Sequence, residues 1–76
     1  MKNQSMNQDV FSFIVYIIHA CANKWNLSPA EVYQRMKRTG CISGYLAAHY
    51  DVLHTLGTEA VVEDIREYWK YRGVVV

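Results

Sequence analysis

Tyr50, Asp51, His54 and Thr55 bring a phenol, a carboxylate, an imidazole and a hydroxyl into one short stretch that ends at Gly57. A carboxylate three positions before an imidazole can orient it as a general base, and such a pair activates a nucleophile when one stands within reach. The available nucleophiles are Thr55, Ser43 and Cys41, and none lies in a nucleophile elbow or at a recognised helix start. A metal reading meets a similar obstacle. His49 and His54 are five positions apart and do not share a helical face, while Cys21 and Cys41 stand in other segments with no ligand spacing. We therefore expect no catalytic residue, no metal and no cofactor. The Tyr50–Gly57 segment is expected either to contact a partner or to lock a turn through side chains that cap nearby backbone groups, and the capping chemistry of Asp51, His54 and Thr55 favours the lock.

The elements that would position these residues follow from length and pattern. A chain of 76 residues makes one domain, 1–76, and buries only about 60% of the surface it exposes when unfolded. Half of its residues are hydrophobic, with one proline and four glycines, so nearly all of it is expected to pack, apart from a polar tail over 1–8 and an apolar C-terminal tail over 73–76. The formal charge of +1 gives no global field for nucleic acid or anionic lipid. The apolar run Val10–Ile18 is about half a bilayer span and no small-residue cleavage site follows it, so neither a membrane helix nor a signal peptide is expected, and the cytoplasm is the expected location. Two distant cysteines without a C-x-x-C motif fit reduced thiols packed as small hydrophobes.

Periodicity predicts an all-α protein, a compact bundle of four helices with the third short. The first should run from Gln8 to Asn23, with Phe11, Ile14, Val15, Ile18 and Cys21 as its main inward stripe and Phe13, Tyr16 and Ile17 widening it. Leu27-Ser28-Pro29-Ala30-Glu31 has the form of a capping box, with proline at the first helical position and Leu27 and Val32 placed for a hydrophobic staple. That second helix should turn Val32, Tyr33 and Met36 inward and end at Gly40. A third is expected from an N-cap at Ser43 to Tyr50, and a fourth from a cap at Thr58 to Tyr71, with Val61, Val62, Ile65, Tyr68 and Trp69 inward and pairs Glu63–Arg66 and Glu67–Lys70 outside.

Two surfaces remain. Arg35, Lys37 and Arg38, before a glycine turn and another helix, have the order of a helix-turn-helix. However, the following segment Ser43–Tyr50 carries no Arg, Lys, Asn or Gln to read base edges, and cations at a helix end are favoured by the dipole alone. Nucleic-acid binding through that basic patch is the alternative reading. The aromatics are more numerous than a thin core can hide, and Trp25, Trp69 and Tyr71, with the valine tail, are the candidate aromatic face for a protein partner.

Taken in order, Phe13-Ile14-Val15-Tyr16, Asn26 to Tyr33, Gly40, Tyr45-Leu46, Tyr50 to Gly57 and Val62-Glu63-Asp64-Ile65 resemble a small uncharacterised bacterial family, a domain of unknown function common in gut anaerobes. The likeness covers Phe11 to Gly73 and rests on an L-S-x-x-E-V-Y block and a Y-D-x-L-H-T block. Members of that family are often encoded beside an ADP-ribosyltransferase-like domain, so the resemblance implies an accessory or antitoxin-like role. The expectation from residues and resemblance together is a non-enzymatic protein–protein interaction domain, with self-association through the first or last helix as one form of it, a homodimer.

Overall fold

The computed structural model describes residues 8–74, and every element in that range is helical. Four α-helices occur in the order α1 (Gln8–Trp25), α2 (Pro29–Thr39), α3 (Tyr50–Leu53) and α4 (Thr58–Tyr71), with a π-helical segment, Ile42–Ala47, between α2 and α3. The expected flexible tail lies outside the described residues except for Gln8, which begins α1; Val75 and Val76 lie outside them as well.

The helix boundaries are set by short-range chemistry. α1 closes at Asn26, which adopts the left-handed conformation (φ 58°), while the Leu27 amide donates to the Ala22 carbonyl at 3.0 Å. This satisfies one of the carbonyls that a helix end leaves open, as in a Schellman motif. At the start of α2 the capping box forms as expected: the Glu31 amide donates to Ser28 Oγ at 3.1 Å and the Ser28 amide to Glu31 Oε1 at 3.5 Å. Gly40 ends α2 at φ 72°, where a side chain would be strained. α4 closes in the same manner through Gly73 at φ 76°, with the Val74 amide donating to the Trp69 carbonyl at 2.9 Å.

The buried core joins Ile14, Ile17, Ile18, Cys21 and Ala22 of α1 to Val32 and Met36 of α2, Cys41, Leu46, Leu53, and Val61, Val62, Ile65 and Trp69 of α4. Trp69 is the largest fully buried side chain, and the half-buried Trp25 leans on it with ring centroids 5.1 Å apart. Val74 packs against the same cluster, so this part of the C-terminal tail folds back on the core.

Several sequence expectations are corrected. Phe11 and Val15, placed in the main inward stripe of α1, are exposed, and Tyr16 is 57% exposed. At 1.5 Å per residue α1 is about 27 Å long and α2 only about 16 Å, so a helix turned back at Asn26–Ser28 stops short of the first turns of α1. Tyr33 of α2 also faces outward, with the Lys37 ammonium 5.7 Å from its ring centre. The third helix does not begin from a Ser43 cap. Cys41 precedes the π-helical segment with no side-chain cap, the helix breaks at Ala48–His49, and a single turn follows. α4 is capped by the backbone of Gly57 rather than by Thr58, whose hydroxyl bonds the Tyr16 hydroxyl at 2.8 Å instead. On α4 the Glu63–Arg66 pair forms at 3.4 Å, whereas among the described residues Glu67 and Lys70 form no ion pair.

Candidate functional site

Around Tyr50–Gly57 the geometry is local. His54 Nδ1 lies 2.7 Å from the Tyr50 carbonyl oxygen, which can only accept, so the ring proton sits on Nδ1. The imidazole stacks on the Tyr50 ring with centroids 4.5 Å apart and an interplanar angle of 15°, and Phe13 of α1 meets Tyr50 edge-on at 5.4 Å. The Thr55 hydroxyl donates to the Val52 carbonyl at 2.6 Å. Asp51 is exposed and forms no hydrogen bond to His54. No hydrogen bond therefore joins this carboxylate to the imidazole, and Thr55 spends its proton on the backbone. Among the described residues no group of three or more His, Cys, Asp or Glu side chains converges as metal ligands would.

Cys41, another nucleophile weighed from the sequence, is fully buried, and so is Cys21. Both are free thiols. Burial pushes each up from the ordinary 9.0 to about 12. The neighbouring Cys41 adds to the rise at Cys21, while the Trp69 indole and the Arg72 charge work against it at Cys41. A thiol so held stays protonated and unreactive at neutral pH. The Trp69 Nε1–H beside it makes no hydrogen bond of ordinary length, so the indole's contact with the sulfur is a weak one.

The candidate aromatic face does not exist as one surface. Trp69 is wholly buried and Trp25 half-buried against it, leaving only Tyr71, 86% exposed, on the outside. The position of Trp69 on the inward stripe of α4 explains this, because a tryptophan there is the best filler for a small core. Of the basic side chains, Arg35, half-buried, and the exposed Arg38 border one shallow pocket with Glu31 and Gln34, while Lys37 lies apart over Tyr33. The segment that would have to enter a DNA groove is a π-helical stretch followed by one α-helical turn, not a continuous recognition helix.

Sequence reasoning missed a polar aromatic cluster between the π-helical segment and α4. Tyr45 stacks on Tyr68 at 5.4 Å and 26°, its hydroxyl donates to Asp64 Oδ2 at 3.2 Å, and the Arg72 guanidinium lies 3.9 Å from the Tyr68 ring centre. Burial, and then the Asp64 carboxylate, drive the Tyr45 phenol well above its ordinary value. The Tyr68–Arg72 spacing on one helix face was a readable signal for half of this cluster; nothing local connects Tyr45 to Asp64.

Among the described residues, α1 carries several exposed large hydrophobic side chains. Phe11 is 59% exposed, Val15 follows one turn later, and Tyr16 stands beside it. From Val10 to Asn23 this helix carries no Asp, Glu, Lys or Arg. Alongside it, α1 and α4 enclose a shallow groove of about 270 Å³ with Ala20 and Val62 among its walls. That volume falls below the usual range for a drug-sized ligand. No helix among the described residues is long and apolar enough to cross a membrane.

Residues 12–72 match the family described as a protein of unknown function (DUF3791), and the chain belongs to that family. No curated protein and no solved structure matches the chain.

Proposed function

We propose that this DUF3791 member is a non-catalytic protein–protein interaction domain, serving as an accessory or antitoxin-like partner of an ADP-ribosyltransferase-like protein. The observation that carries the interaction reading is the exposed apolar side chains of α1, Phe11 and Val15 one turn apart in its first half and Tyr16 on the side that meets α4, on a helix with no charged residue from Val10 to Asn23. Aromatic and aliphatic side chains grouped on a rigid helix supply the anchor of a binding surface, because burying them removes apolar area from water without first ordering a loop. A chain this small, which spends few of its residues on enclosing a cavity, can act by covering another protein. The choice of partner rests on the gene neighbourhood that the family resemblance implies.

The test is a tagged pull-down from the native host at native expression, read by mass spectrometry, with wild type and a Phe11→Ser/Val15→Ser variant in parallel. The expected result is a stoichiometric ADP-ribosyltransferase-like protein that the variant loses while keeping the wild-type melting temperature. Recovery of the bait alone would remove the accessory-partner reading and favour self-association or nucleic-acid binding. Retardation of duplex DNA with a steep dependence on salt would replace it with nucleic-acid binding.

A further inference from the structure

We propose that the groove between α1 and α4 takes one apolar side chain of the protein partner together with a basic side chain adjacent to it. The proposal rests on the interaction reading above and names the chemistry that reading leaves open. The floor is apolar, formed by Ala20 and the buried Val62, and about 270 Å³ is room for a side chain of leucine size but not for an extended ligand. One edge is fixed: Tyr16, a helical turn before Ala20, holds Thr58 of the groove wall through the 2.8 Å hydroxyl bond, which sets the spacing of the two helices there.

The rim supplies the charge preference. Glu59 and Glu63 are one turn apart on α4 and both border the groove, against the single Lys24 on α1. Among the described residues Glu59 makes no ion pair, and Glu63 is held only by the exposed Arg66 contact at 3.4 Å, which a better-placed cation can displace. The helix dipoles account for Glu59 at the start of α4 and Lys24 at the end of α1. Glu63, a turn further along, is not explained in that way and tips the rim towards negative. A partner segment with an apolar residue beside a Lys or Arg complements both parts, and the exposed Tyr16, one turn before Ala20, continues the surface along α1.

The probes are two capped dipeptides, N-acetyl-Leu-Lys-amide and N-acetyl-Leu-Glu-amide, titrated into the full chain while its backbone amide resonances are followed. The expected result is a set of shifts confined to Ala20, Lys24, Thr58, Glu59, Val62 and Glu63, with the lysine probe bound about threefold to fivefold more tightly, the effect of one exposed ion pair. Glu59→Gln/Glu63→Gln should abolish that difference, and Ala20→Met, which fills the groove from a half-buried position, should abolish both shifts. Equal binding of the two probes would overturn the basic occupant, and shifts elsewhere or none would overturn the site. Failure here is separable from failure of the interaction reading. Loss of the native partner in Phe11→Ser/Val15→Ser but not in Ala20→Met would refute the groove alone, whereas probe binding without any recovered partner would keep the groove and remove the proposed role.

Discussion

The start of α2 and the stretch Ile42–Leu56 both have to rebuild a helix after a turn, and they do so by opposite means. At the start of α2, Ser28, Pro29 and Glu31 satisfy the open backbone groups among themselves, and the result is a regular helix of 11 residues. Ile42–Leu56 has no side-chain cap at Cys41 or His49 and yields a π-helical segment, a break and one turn. Its anchors are mostly distant: Leu46 and Leu53 in the core, Tyr45 on Asp64 and Tyr68, and Tyr50 against Phe13. Only His54 and Thr55 bond their own neighbourhood. Local capping produces regular geometry, whereas burial and contacts with distant parts of the chain tolerate a wider turn if the side chains reach their places.

The largest test of this contrast is Leu46→Ala. The side chain is fully buried inside the π-helical segment, and its removal should cost about 2–5 kcal/mol, a large part of the ~5–15 kcal/mol that holds a domain together. Urea unfolding followed by circular dichroism measures it; a loss under about 1 kcal/mol would mean that core burial does not hold the segment. Alkaline pH probes the same region from the other side. Cys21 and Cys41 titrate near 9.0 when unfolded and near 12 when folded. The unfolded chain therefore releases these protons first, and stability is intact below pH 9 and falls from there towards 12. At about pH 10 the loss should be about 1 kcal/mol per thiol, and Cys41→Ala should remove its share. An unchanged alkaline profile in Cys41→Ala would show that the start of the irregular stretch opens to solvent.

The same contrast explains what was legible in the sequence. The capping box and the Gly40 terminus could be read because their determinants lie within a few residues of the groups they satisfy. So could the inward residues of α4, where periodicity alone selects Val61, Val62, Ile65 and Trp69. Phe11 and Val15 were misplaced because α1 is apolar on nearly every side, and which side is covered depends on the length and direction of α2. The π-helical segment was hidden for a related reason: Ile42, Tyr45 and Leu46 fit an ordinary helix equally well, and only their partners on α1 and α4 decide otherwise. At the candidate site, the residues of Tyr50–Gly57 were recognisable as backbone-capping types. The groove was not visible, because Ala20 and Glu63 are unremarkable until their helices meet.

Smaller effects separate the local devices. Ser28→Ala removes the acceptor of the Glu31 amide and should cost about 1 kcal/mol, with faster amide exchange limited to the first turn of α2. A loss spread over the whole domain would show that the capping box acts beyond its own helix. His54→Ala removes both the bond to the Tyr50 carbonyl and the ring stack. Since the site is exposed, about 0.5–1 kcal/mol is expected. Thermal unfolding and partner binding should be measured together: lost stability assigns His54 to the turn, while lost binding at unchanged stability assigns it to a contact surface and moves Ile42–Leu56 from scaffold to interface.

Gly44→Ala is the smallest change and the most discriminating. Gly44 lies inside the π-helical segment without the positive φ that would exclude a side chain, and a Cβ there would meet the Tyr68 hydroxyl at 3.7 Å, an ordinary contact. If long-range anchoring alone sets this segment, alanine should stabilise the protein by about 0.5 kcal/mol, because it restricts the unfolded chain and costs nothing in the folded one. A loss of more than about 1 kcal/mol would instead mean that the π-helical geometry needs the missing side chain at Gly44, for example to let Tyr45 and Tyr68 stack. The irregular stretch would then carry a local determinant of its own, and its difference from the start of α2 would be one of degree.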